Sequence, residues 1–324
     1  MKETVSIITG ASGEIGQNLI SRFEKIKNKK IIALDLNPPN KKLNFYKFIK
    51  GSILDLEIIN QLAKDYIIVE FLHLAAVVST KAENKPELAK EVNINGTLHL
   101  LNLALLQSMK YQITTKFFFP SSIAVYNTKG INGTIDENSY CNPKTIYGQH
   151  KLFCENLGTA FDLYGNEQNL KIDFRCIRFP GIISTNTIPT GGTSDYAPQM
   201  IHNAFNKKNY VCFVNELTCL PFIVMPDAIE AIDQLMNKIK NSLNKTVYNI
   251  TSFSPTVLNL LKIIQRKYTD FQLTYSIDKM RQSIIDSWPD FIDDYHAKND
   301  WGWKPKYDLD TAFNNYIVPQ LTKY

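Results

Sequence analysis

The chain has 324 residues, 44% of them hydrophobic, enough for one large domain or two modest ones with a substantial core. Its 36 basic and 31 acidic side chains leave a net charge of +5 on dispersed lysines, and this argues for a solvated surface and against a nucleic-acid partner. No apolar run approaches the ~18 residues of a membrane span, so no membrane partner is expected.

In chain order, Val5 to Thr9 reads as a strand, and Gly10 to Lys27 as a glycine turn and a helix. Lys30 to Leu34 and Asn44 to Ile49 are the next strands, parted by Asp35 and the breaker Asn37-Pro38-Pro39. Leu56 to Asp65 fits a short helix, Ile67 to Leu74 a fourth strand, and Glu87 to Met109 a long helix. Lys116 to Phe119 is a fifth strand leading into Ser121 and Ser122, Tyr147 to Tyr164 another helix, and Ile172 to Ile177 a sixth strand. Strand alternating with helix predicts an α/β fold with a parallel sheet covered on both faces. After Pro180 the rhythm changes. Ser184 to Ala197 reads as a loop, followed by helices at Pro198–Asn206, Asp227–Lys240 and Pro255–Lys267, the last with Ser254 as cap and Pro255 at its first position. The tail, Ser287 to Pro305, is aromatic and acidic. The expected organisation is a nucleotide-binding domain over residues 1–180 and a smaller C-terminal substrate-binding lobe over 181–324, part of which returns to the sheet.

Three groups of residues carry chemistry. Gly10, Gly13 and Gly16 follow a strand and open a helix, where the backbone can turn tightly and approach a pyrophosphate on the helix N-terminus. Asp35 ends the next strand, where a carboxylate accepts hydrogen bonds from an adenosine ribose and repels a 2′-phosphate, favouring NAD over NADP. Tyr147 and Lys151 lie four apart, on one helix face. An ammonium beside a phenol favours the phenolate and makes the tyrosine a usable base. Ser122, at the end of a parallel strand, is placed to orient a substrate oxygen.

Together with Leu74-Ala75-Ala76, Asn93-x-x-Gly96-Thr97 and the late "AKNDWGWKP", these motifs resemble the extended short-chain dehydrogenases/reductases over almost the whole chain. The resemblance implies a Rossmann doubly wound parallel sheet and a catalytic set of Ser122, Tyr147 and Lys151, with Asn93 supporting the site through its helix. It implies cofactor contacts from Gly10, Gly13, Glu14, Ile15, Gly16, Asp35, Asp55, Leu56, Leu74, Ala75, Ala76, Asn93, Tyr147, Lys151 and Pro180. It also implies a homodimer through the helices near Glu91–Gln107 and Tyr147–Tyr164. "FRCIRFPGIIS", "TGGTSDYA" and "SWPDFIDDYHAKNDWGW" are similar to the epimerase-like L-threonine 3-dehydrogenases. That likeness implies a small-molecule substrate, L-threonine, oxidised at C3 with NAD, and substrate contacts from Ser79, Ser122, Tyr147, Thr193 and Trp288. Asp195 either meets an ammonium or caps its loop. Phe179, His150, Phe291 and Tyr295 depart from the residues common there.

A nucleotide-sugar 4-epimerase or dehydratase is the competing activity on this fold. It must hold a diphosphate, and between Pro180 and Pro289 only Arg266 and Arg281 are available. An NAD-sensing binding protein is the alternative without turnover, and it has no need of a retained base. His73 is expected as a packed core histidine, His150 as pointing off the catalytic face, and Trp301 and Trp303 as packing. Cys141, Cys154, Cys176, Cys212 and Cys219 form no Cys-x-x-Cys pair, so no metal site and reduced thiols are expected. With no readable secretory signal, the expected compartment is the cytoplasm, or the mitochondrion for a eukaryotic chain that has lost a presequence.

Overall fold

The computed structural model describes residues 2–26, 29–128, 134–167, 172–185 and 192–321. The first half alternates strand and helix: β1 (Glu3–Thr9), α1 (Glu14–Phe23), β2 (Ile31–Asp35), β3 (Lys47–Lys50), α2 (Leu56–Asp65), β4 (Tyr66–His73), α3 (Ser79–Asn84), α4 (Pro86–Lys90), α5 (Gly96–Tyr111), β5 (Thr115–Ser122), α6 (Ile146–Glu167) and β6 (Ile172–Phe179). The second half adds β7 (Gly181–Ile183), α7 (Tyr196–Phe205), β8 (Tyr210–Cys212), β9 (Phe222–Val224), α8 (Met225–Asn237), β10 (Val247–Asn249), α9 (Val257–Gln265), β11 (Leu273–Tyr275), α10 (Lys279–Ile285) and α11 (Tyr295–Trp301).

A seven-stranded parallel sheet runs in the order β10-β6-β5-β4-β1-β2-β3. Chain order reverses between β1 and β4, and ligands bind outside the strand ends at such a switch point. Successive side chains of β1 and β5 leave to opposite faces, so Ile7, Phe117 and Phe119 join one core while Ile8 and Phe118 join the other. Leu100, Leu101 and Ala104 of α5 cover the first face; Leu19 and Ile20 of α1 and Ile232 and Leu235 of α8 cover the second. All eight residues of β6 are buried, as a parallel strand covered on both faces requires. From Val247 the chain rejoins the sheet, as β10 beside β6. Two small parallel pairs, β7 with β9 and β8 with β11, stand outside it.

Three expected elements differ. The helix expected over Glu87–Met109 is α4, a π-helical turn at Glu91–Asn95, and α5. The π turn holds Asn93, whose amide is fastened to the Val77 backbone. Neither Ser254 nor Pro255 starts α9. Strand-like bridges hold Phe253 and Thr256 extended, and Thr256 caps the helix through a reciprocal capping box with Asn259. The third strand begins at Lys47 rather than Asn44, because the Asn44 amide turns to the Glu24 carboxylate. Of the expected loop Ser184–Ala197, residues 186–191 lie outside the described residues, and its end already belongs to α7. The aromatic tail contains α11. There Trp301 and Trp303 pack as expected, both 2% exposed, with the Trp303 indole donating to Asp294.

Candidate active site

The site is a groove along the strand ends, made of three adjoining cavities. The first, about 320 Å³, runs from Asp35 past Ser52 and Ile53 to the Leu74–Val77 segment. Gly10 has φ +65°, and a Cβ there would lie 2.7 Å from the Ala75 amide nitrogen, so the turn and the Leu74–Val77 wall touch backbone to backbone. A Cβ on Gly16 would meet Gly10 and Ala11, so α1 starts tight against the turn. Gly13 is the N-cap of α1 and offers no capping side chain, leaving first-turn amides for a ligand anion. The Asp35 carboxylate accepts from the Ser12 amide (3.0 Å) and the Asn37 amide (3.1 Å), which hold it at the cavity rim.

The central cavity, about 440 Å³, joins the glycine turn to Ser122, Tyr147, Lys151, Pro180 and Trp288. Thr145 starts α6 by accepting the Gly148 amide (3.0 Å), so Tyr147 and Lys151 lie on its first turns. One turn further, Glu155 and Arg178 form a buried two-pronged pair that ties α6 to β6. The Lys151 ammonium donates to the Pro120 carbonyl (2.6 Å) and lies 4.5 Å from the Phe119 ring centroid and 5.6 Å from that of Tyr147. Burial pushes Lys151 down to about 8. Burial raises the Tyr147 phenol well above its ordinary value, and a hydrogen bond with the Ser122 hydroxyl pulls it partly back. The expected lowering of the phenol by its neighbouring ammonium is therefore not present in this structure. The ammonium is committed to a carbonyl, and desolvation outweighs the rest.

Beyond Tyr147 lies the third cavity, about 160 Å³, lined by Ser79, Glu83, Thr193, Arg281 and Trp288 among others. Ser79 has φ +39° at the start of α3. Glu83, one turn on, accepts the Tyr147 amide (3.2 Å). Arg281 lies across the Phe213 ring, 3.3 Å from its centroid, and donates to the Gly192 carbonyl (2.5 Å). Asp278 caps α10 through the Met280 and Arg281 amides.

Of the residues expected at the cofactor, the groove brings together Gly10, Gly13, Glu14, Ile15, Gly16, Asp35, Leu74, Ala75, Ala76, Tyr147, Lys151 and Pro180. Asp55 and Leu56 are not among its lining residues. Asp55 is exposed and caps α2 by accepting the Glu57 and Ile58 amides, and the wall is made by Ser52 and Ile53 instead. Asn93 stands behind the wall and holds Val77 in two directions (2.8 and 2.9 Å). Ser79, Tyr147, Thr193 and Trp288 line the third cavity and Ser122 the central one, whereas Asp195 lines none of the three and turns its carboxylate to the Gly192 amide (2.6 Å). His150 also lines none of the three and lies 3.5 Å from the Asn93 amide. Glu83 and Arg281 escaped the sequence reading. The i, i+4 spacing from Ser79 was the available signal for Glu83, and the scarcity of arginine in the second half was the signal for Arg281.

A glycine turn at the switch point, with a hydroxyl, a phenol and an ammonium converging beside it, defines a Rossmann-type oxidoreductase that uses a nicotinamide cofactor. Residues 6–251 match the family described as NAD dependent epimerase/dehydratase, and the chain belongs to that family. It is 33% identical over 306 residues to the mitochondrial L-threonine 3-dehydrogenase of Bos taurus, covering 94% of this chain and 79% of that one. A solved monomeric L-threonine 3-dehydrogenase from a metagenome, in its apo form, is 38% identical with a TM-score of 0.86, over 98% of this chain and 99% of that one. The L-threonine 3-dehydrogenase of Trypanosoma brucei is 34% identical with a TM-score of 0.87, over 98% and 97%. No helix among the described residues is long and apolar enough to cross a membrane.

Proposed function

We propose that the chain oxidises L-threonine at C3 with NAD, yielding 2-amino-3-oxobutanoate and NADH. The observation that carries this reading is the third cavity. It is small, it opens onto Tyr147, and its charged lining is Glu83, Asp278 and Arg281. Two carboxylates and one guanidinium suit a zwitterion and disfavour the diphosphate of a nucleotide sugar. The amino acid's carboxylate is assigned to Arg281 and its ammonium to Glu83, with Ser79 and Thr193 beside them. Likeness to L-threonine 3-dehydrogenases over nearly the whole chain supports the same reading.

The residues fit NAD. The glycine turn and the α1 N-terminus would hold its pyrophosphate, Asp35 its adenosine ribose, and Lys151 its second ribose. When bound, NAD supplies the acceptor for the hydride leaving C3. Tyr147 Oη takes the proton of the substrate hydroxyl, and Ser122 Oγ, already bonded to Tyr147, holds that oxygen in line. Lys151 offers the positive charge that favours the phenolate once its ammonium is shared with the site. Asn93 supports the site by fixing Val77. Exposed Leu106 and Met109 of α5 and Phe153, Leu163 and Tyr164 of α6 support a symmetric homodimer through these helices. The cysteines are unpaired, in keeping with a reducing compartment such as the cytoplasm or the mitochondrial matrix.

The test is NADH formation with a panel of amino acids, 3-hydroxy acids and UDP-sugars. L-threonine is expected to give NADH. Epimerisation or dehydration of a sugar nucleotide without threonine oxidation overturns the reading.

A further inference from the structure

His73 ends β4 opposite Thr9, its register partner at the end of β1, and both are buried. Its ring is bonded at both nitrogens. Nδ1 lies 2.8 Å from Thr9 Oγ1, and Nε2 lies 2.9 Å from Thr97 Oγ1. The directions of these bonds follow from the partners. The Thr97 hydroxyl donates to the Asn93 carbonyl (2.6 Å), so it must accept from His73 Nε2–H. Nδ1 is then the acceptor, taking the Thr9 hydroxyl proton, and Thr9 Oγ1 is left to accept the Ala75 amide (3.3 Å). At the far end, the Asn93 side chain grips the amide and the carbonyl of Val77.

The chain of bonds thus leaves the Leu74–Val77 wall at Ala75, passes through Thr9, His73, Thr97 and Asn93, and returns to the same wall at Val77. It closes on a segment that lines the cofactor cavity and touches Gly10 backbone to backbone. We propose that His73 is a positioning residue for the cofactor, the neutral hub of a hydrogen-bonded ring that sets the glycine turn, the Leu74–Val77 wall and the Asn93 turn at one fixed spacing. Only an imidazole protonated at Nε2 alone completes this ring; an imidazolium would leave the Thr9 hydroxyl proton without its acceptor. Burial and the nearby Lys151 charge hold His73 down to about 3, so the ring stays intact at neutral pH. Any buried imidazole needs partners at both nitrogens; here the two partners tie together segments that frame the cofactor cavity.

The inference rests on the nicotinamide-cofactor part of the proposed function, not on threonine. The experiment is therefore NADH binding, followed by fluorescence titration of the folded protein. Thr9→Val and Thr97→Val each keep volume and delete one link, and each is expected to weaken NADH binding about 2–10-fold, the equivalent of one net hydrogen bond. The double variant is expected to be no weaker than the worse single one, because a ring opened once is already open. Thr9→Ser and Thr97→Ser keep the hydroxyl and are expected to bind like the parent. Valine variants that bind NADH like the parent and lose only thermal stability overturn the positioning role, as do serine variants as weak as the valine ones. Imidazole ¹⁵N shifts of the unmodified protein give an independent reading, with the Nε2–H tautomer expected and the Nδ1–H tautomer overturning the ring. If the unmodified chain does not bind NADH, the cofactor reading itself falls; if it binds and the valine variants match it, only the ring does.

Discussion

At the cofactor end of the groove two tightly packed backbone segments, the Gly10–Gly16 turn and the Leu74–Val77 wall, meet the first turn of α1, with apolar residues such as Leu34, Ile53 and Val92 around them and the Asp35 carboxylate at the rim. At the substrate end the wall is side chains, drawn from Ser79 to Asn84, from Thr145 and Tyr147, from Thr193, and from Asp278 to Trp288. The first kind of wall recognises what every dinucleotide shares, through close approach and amide dipoles. The second, in the proposed function, recognises one small molecule through charge and shape placed side chain by side chain. Tyr147 lines both the central and the third cavity, which is where the proposed mechanism requires its base.

The division is broken most severely at Tyr147. Tyr147→Phe removes the base and keeps the ring, so turnover of threonine is expected to fall roughly 10²–10⁴-fold while NADH binding persists. In the unmodified protein the rate is expected to climb with pH beyond neutrality, because burial has raised the phenol that must lose its proton. A rate already level at neutral pH would show that another group is the base. Glu83→Gln and Arg281→Met test the substrate end alone. Each removes one charge-assisted contact, so threonine KM is expected to rise about 10–100-fold with NADH affinity unmoved. A matching loss of NADH affinity would erase the division between the two ends. Asp35→Ala tests the cofactor end alone, and is expected to narrow the preference for NAD over NADP by about tenfold, one charge-assisted hydrogen bond, at unchanged threonine KM. Comparable use of both cofactors by the unmodified chain would remove Asp35 as the discriminator. The mildest change concerns assembly. Leu106→Lys with Leu163→Lys is expected to turn a dimer into an active monomer, read by light scattering; a parent chain that is already monomeric, like its metagenome relative, ends the dimer reading.

The contrast between the ends also explains what could be read from the chain in advance. The glycine turn, Asp35, the Leu74-Ala75-Ala76 wall and the Tyr147–Lys151 pair each occupy a short contiguous stretch, and local spacing determines what such a stretch does. Features that depend on remote partners are harder to read. Family resemblance alone places Asp55 at the cofactor; in the structure its carboxylate caps α2, and Ser52 and Ile53 line the cavity. Ser254 and Pro255 formed a plausible helix start, but pairing of Phe253 and Thr256 with residues more than 30 positions away moved it to Thr256. Glu83 and Arg281 line one pocket only because the fold brings α3 and α10, about 200 residues apart in the chain, to it beside Trp288.

By itself the sequence determined the parallel α/β plan and the glycine turn at the strand end, because both depend on periodicity and glycine placement within a few residues. Tertiary structure alone decided the protonation of the site and the making of the substrate pocket. The four-residue spacing brings Lys151 near Tyr147, but the Pro120 carbonyl takes its ammonium, and desolvation moves both groups toward their neutral forms. It also decided the part played by His73, a buried ring whose two partners come from β1 and α5. Such contacts depend on distances between segments remote in the chain, and no local pattern encodes them.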